Sequence, residues 1–117
     1  MGAPRLGEGR VNIQTPAMEF SRSRRELISA LRKLRRGDFS VRMPEEGTDA
    51  DVELATLFNE VVSLNQQMTG EFERISRIVG KEGKIGQRAK VTGATGGWET
   101  KLRAINELVD DMVQPTV

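Results

Sequence analysis

The stretch Phe58-Asn59-Glu60-Val61-Val62 returns 47 residues later as Ile105-Asn106-Glu107-Leu108-Val109. A chain that repeats itself at this period folds as copies of one small unit stacked along a line. A second block repeats upstream, where Arg36-Gly37-Asp38-Phe39-Ser40-Val41-Arg42 lines up with Glu82-Gly83-Lys84-Ile85-Gly86-Gln87-Arg88 at an offset of 46. Hydrophobic periodicity reads each copy as helix, extended connector, helix.

The length, 117 residues, leaves little core for each copy. Units of roughly 40 residues need help to bury apolar surface, and a second copy of the chain is the simplest help. The sequence has no histidine, cysteine or tyrosine. That removes His/Cys metal sites, disulfides, cysteine nucleophiles and histidine acid-base chemistry. Eighteen basic and 17 acidic residues give a net charge of +1, which favours neither nucleic acid nor an acidic membrane as partner. No apolar run is long enough for a membrane span and no signal-peptide pattern occurs, so the chain is expected to be cytoplasmic, without membrane insertion.

Met1 to Phe20 mixes glycine, proline and scattered polar residues without a sustained period, and reads as a flexible or appended leader over 1–20. Ser23 followed by Glu26 has the spacing of a capping box, which predicts a first helix from about Arg24 to Arg36. Leu27, Leu31 and Leu34 form its apolar seam, and Gly37 ends it. Phe39, Val41 and Met43 then alternate with Ser40 and Arg42, and Pro44 blocks helix, so this segment is extended. Thr48, Asp49 and Asp51 are candidate caps for the next helix. The connector of about 14 residues is far longer than the 2–5 that an antiparallel helical hairpin needs. Extended, it reaches well beyond the roughly 20 Å back to the start of the first helix. The two helices of a unit are therefore expected to run parallel.

Leu54, Phe58, Val61, Asn65, Met68, Phe72, Ile75 and Val79 are separated by steps of 4, 3, 4, 3, 4, 3 and 4, the seam of a left-handed coiled coil. No proline interrupts residues 52–82, so a single central helix is expected to join the units, with Asn65 as a polar register-fixing residue in the seam. In the second unit Ile85, Ala89 and Val91 are candidate connector contacts, while Gln87 stands where an apolar residue is expected. A last helix from about Trp98 to Val113 carries Leu102, Ile105, Val109 and Met112, with Trp98 as an apolar plug at its base. Lys101 falls where the first unit has Leu54, and Leu102 and Ala104 are the candidates to take over its packing.

The Gly37-Asp38-Phe39 turn after a short amphipathic helix, the connector with spaced apolar residues, and Phe58-Asn59 in the second helix together resemble a HAMP domain, the signal-relay module of sensor kinases and chemoreceptors. The second unit, from Gly80-Lys81-Glu82-Gly83 through Gly96-Gly97-Trp98 to Ile105-Asn106, is similar to the tandem HAMP arrays of soluble hybrid histidine kinases. One departure is Asp49-Ala50-Asp51-Val52, where family members usually carry an Asp-Glu pair followed by an apolar residue and glycine.

The resemblance implies an all-α homodimer of two stacked helix-connector-helix units, 21–70 and 71–117, each a parallel four-helix coiled-coil bundle. It implies a non-catalytic relay between upstream and downstream signalling domains of the same chain, the output being a histidine kinase in a two-component system. The expected relay core is Leu31, Leu34, Gly37, Phe39, Val41, Leu54, Phe58, Val61, Asn65, Ile85, Trp98, Ile105 and Val109. No catalytic residue, cofactor, metal or small-molecule substrate is expected. Two alternatives stay open: a basic dimeric coiled coil binding nucleic acid through the arginines between Arg22 and Arg36, and an inert spacer. The interrupted periodicity and the duplicated connectors argue against a spacer.

Overall fold

The computed structural model of the chain describes residues 16–83 and 86–113, with side chains from Arg22 to Met112 within those ranges. Among the described residues the regular elements are three helices, α1 (Pro16–Arg35), α2 (Asp49–Gly80) and α3 (Gly97–Val113), and no strand occurs. The all-α expectation holds at this level.

α1 starts at Pro16, not at Arg24. Proline is favourable at a first helical position because its fixed φ suits the helix and its missing N–H is not needed there. Ala17, Met18 and Glu19 then carry the helix into the arginine-rich stretch. Ser23 therefore lies inside α1, so it does not cap the helix and the expected capping box does not form. The last residues of the expected leader, Pro16 to Phe20, are helical, and the rest of it lies outside the described residues. The C-terminus of α1 closes as expected. Gly37, at φ +86°, takes the left-handed position; its N–H bonds Leu34 O at 2.8 Å, and the Asp38 N–H bonds Lys33 O at 3.0 Å. That pair of bonds satisfies two orphan carbonyls of the last turn.

The chain divides into two compact units between Glu60 and Val61, inside α2. α2 thus serves as second helix of one unit and first helix of the next, and Gly70 does not interrupt it.

In the first unit Ala30, Val41, Met43 and Ala55 are buried, while Ser40 and Arg42 between them are exposed. This is the alternation an extended strap shows when one side faces a helix pair. The strap passes α2 in reverse order: Met43 bonds Asn59, and Glu45 further on bonds Thr56, nearer the start of α2. At the strap's end Asp51, in the first turn of α2, is hydrogen-bonded by Ser23 in the first half of α1. The strap therefore returns along the helices, and α1 and the first part of α2 run in the same direction.

The second unit repeats the plan. Met68, Ile75, Ala89, Leu102 and Val109 form its core, with Phe72, Val79, Val91, Ala94, Trp98 and Ile105 packed around them. Its connector meets Arg74 through Gln87 and Arg88, then Glu71 through Lys90, again moving backward along α2. On α3 it meets Asp110 through Arg88 and Asn106 through Ala89. α3 and the second part of α2 are thereby parallel. Leu102 is buried and Ala104 is exposed, so Leu102 alone takes over the packing near the start of α3.

Candidate functional site

The residues that give each unit its particular form are those that tie the connector to the helices. In the first unit the Asn59 side chain holds the backbone of Met43 at both ends: its Oδ1 accepts the Met43 N–H at 2.7 Å and its Nδ2 donates to the Met43 carbonyl at 2.9 Å. In the second unit Asn106 does the same to Ala89, at 2.8 and 3.1 Å. An extended segment without a neighbouring strand leaves its N–H and C=O groups open, and a primary amide supplies one donor and one acceptor to fill both. The repeated asparagine is thus a repeated clamp. Neither residue was among the expected relay residues, although the repeat displayed each in the same place.

Each clamp has further bonds. Glu45 accepts from the Thr56 hydroxyl at 2.9 Å and from Asn59 Nδ2 at 3.2 Å, while Arg42 donates to the Phe39 and Val41 carbonyls. In the second unit Glu71 and Arg74 pair through two bonds of 2.9 and 3.0 Å, and Arg88 pairs with Asp110. The Arg74 guanidinium beside Glu71, and then the Lys90 N–H, hold the Glu71 carboxyl below its usual range; Glu71 in turn raises Arg74.

At the start of α2, Thr48 and Asp51 form a capping box: the Asp51 N–H donates to Thr48 Oγ1 at 3.1 Å, and the Thr48 N–H donates to Asp51 Oδ2 at 3.0 Å. Of the candidate caps, Thr48 and Asp51 fill the role together. The Thr48 backbone bond, then the Ser23 hydroxyl, lower the Asp51 pKa. Gly47 at φ +113° has no room for a side chain, since a Cβ there would lie 2.6 Å from Asp51 Oδ2. Asp38 is likewise held low, by the Ser40 hydroxyl and then the Ser40 N–H, both on its Oδ1.

The expected relay residues differ in burial. Val41 and Val109 are buried; Leu34, Phe39, Phe58, Trp98 and Ile105 are half-buried. Gly37 makes the turn. Leu31, Leu54 and Val61 point away from the buried residues of the chain, and Ile85 lies outside the described residues. Asn65 is half-buried and donates to the Val61 carbonyl of its own helix at 3.2 Å. Lys101 sits over the Trp98 ring, Nζ 5.1 Å from its centre.

Beside these clamps each unit keeps large apolar side chains facing outward. In the first unit these are Ile28 and Leu31 on α1 and Leu54 and Leu57 on α2; in the second they are Val61, Leu108 and Met112, with exposures between 37% and 62%. The second unit also has an apolar groove of about 210 Å³ lined by Phe72, Ile75, Val79, Ile105, Leu108 and Met112. Among the described residues no acidic cluster is arranged to hold a metal ion, and no helix is long and apolar enough to cross a membrane.

No protein-family model matches the chain, and no solved structure matches it.

Proposed function

We propose that the chain is a non-catalytic signal-relay module of HAMP type, working as a homodimer in which each unit pairs its two helices with those of a second copy in a parallel four-helix coiled-coil bundle. The observation that carries this reading is the double-faced helix. α1 buries Ala30 but turns Ile28 and Leu31 outward, and α2 buries Ala55 but turns Leu54 and Leu57 outward. Fully burying a side chain of this size is worth about 1.5–3 kcal/mol, and these four leave between 37% and 55% of their surface in water. A repeat of small units whose inner face is filled by a strap, and whose other face is apolar, suits a second copy better than solvent.

A dimer of this kind relays by repacking. A rotation or tilt of α1 imposed by an upstream domain changes which residues of the seam face the partner, and α2 carries the change onward to α3 and a downstream output, a kinase in a two-component system. Two packings separated by a few kcal/mol are enough for the switch. The test is light scattering on the whole chain together with oxidative cross-linking of Asn65→Cys. A species of twice the chain mass, giving the symmetric disulfide, supports the reading. A compact single-chain species at micromolar concentration, or a dimer that forms no cross-link, refutes it.

A further inference from the structure

The two units share the asparagine clamp but differ in what else fastens the connector. In the second unit Glu71 Oε1 accepts the Lys90 N–H at 2.8 Å, and Arg74 reaches across to Gln87 Oε1 at 3.1 Å and to the Arg88 carbonyl at 2.9 Å. Glu71 orients that guanidinium through a two-pronged bond. One carboxylate therefore holds the connector directly and also through the arginine. The charges around it are Arg74 on its own helix, Arg88 and Lys90 on the connector, and Asp110 of α3, which pairs with Arg88.

The first unit cannot build this fastening. Setting the buried Ala30 against the buried Ile75, 45 residues on, puts Glu26 at the place of Glu71 and Ser29 at that of Arg74. On the connector, at the offset of 46, Pro44 stands for Lys90 and Val41 for Gln87. Proline has no N–H to give to Glu26, and a serine hydroxyl is far too short to span what the guanidinium spans. Where Arg74 bridges helix and connector in the second unit, the first keeps an open cavity of about 190 Å³, lined by Glu26, Ser29, Lys33, Val41, Arg42 and Pro44, with Arg42 donating to the carbonyls of its own connector.

We propose that Glu71 and Arg74 form an ionic latch peculiar to the second unit, so that its connector releases when the Glu71 charge is lost while the first connector stays fastened. In a relay, and resting there on the function proposed above, the latch makes the second unit a separately controlled step. A neutral side chain at 71 loses the charge-assisted bonds and frees the arginine that holds Gln87 and Arg88. The Asn59 clamp, whose one charged partner is Glu45, involves neither Glu71 nor Arg74 and is untouched.

Amide hydrogen exchange read by NMR on the whole chain tests the latch and does not depend on the relay or on the oligomeric state. In E71Q the Lys90 amide should exchange at least about tenfold faster than in the wild type, with the Met43 amide unchanged. R74Q, which keeps the Glu71 charge and removes the fork, should speed Lys90 in the same local way. Unchanged Lys90 protection in both variants, or acceleration of Met43 in step with Lys90, would overturn the proposal.

Discussion

Asn59 and Asn106 each do with one side chain what a neighbouring strand would do for an extended residue. Removing either leaves a partly buried N–H and C=O of the connector without their partner, at a cost of about 1–3 kcal/mol. Asn59→Ala and Asn106→Ala should therefore lower the urea midpoint by similar amounts, and Asn59→Asp, which keeps the acceptor but sets a second carboxylate against Glu45 and the Met43 carbonyl, should be at least as destabilising as alanine at neutral pH. Equal stability of Asn59→Ala and wild type would remove the clamp from the account of the fold. The clamp was visible in the sequence only as two identical letters in a repeat. Counting apolar periods sorts side chains by hydrophobicity, and it drew notice to Asn65, the polar break in the seam. Asn65 bonds within its own helix, whereas Asn59, one residue past Phe58, holds the connector. A polar contact to backbone has no periodicity, so duplication was its one sequence signal.

At the scale of elements, the connectors' course was legible and the helix starts were less so. The 13 residues between Arg35 and Asp49 are too many for a hairpin and enough for a return, and the order of contacts from Met43 to Glu45 along Asn59 and Thr56 follows that return. α1 starts eight residues before the spacing predicts, because Ser-x-x-Glu has the same spacing at a helix start and in a helix interior; only the unpaired amides of a true first turn make the serine a cap. Ser23, enclosed in α1, bonds instead to Asp51 of the genuine capping box, the one joining Thr48 to α2. Thr48→Ala should cost about 1 kcal/mol, with fraying confined to the first turn of α2. The box should also respond to acid. Asp51 has its folded pKa below the ordinary 3.8, so its bonds contribute fully above that value and are lost as the pH falls through the lower folded value. Exchange at the Thr48 amide, which donates to the Asp51 carboxylate, followed from pH 5 downward, should show protection constant to about pH 4 and then falling. A loss of protection already complete above pH 5 would place the titrating group elsewhere.

At the scale of the whole molecule, the proposed assembly rests on the side chains that the single chain leaves exposed. The coiled-coil spacing through α2 was legible as one seam, yet the structure gives its parts different work. Met68 and Ile75 are core residues of the second unit, while Leu54 and Val61 stay exposed and the adjacent Ala55 and Val62 are buried. Spacing identifies a stripe but not what covers it, because a helix packed on two sides carries two stripes close together. If a second copy covers the outer one, lysine at both Leu54 and Leu57 should abolish dimerisation at micromolar concentration. It should leave the inner packing of Ala30, Val41, Met43 and Ala55 intact, so the Met43 amide, bonded to Asn59, should stay protected in the monomer that results. Lysine at Glu53, exposed on the same turn, is the matched control and should leave the dimer unchanged. Persistence of the dimer in the double-lysine variant would mean that the outward leucines do not lie in the interface. The relay would then lack the seam whose repacking it requires.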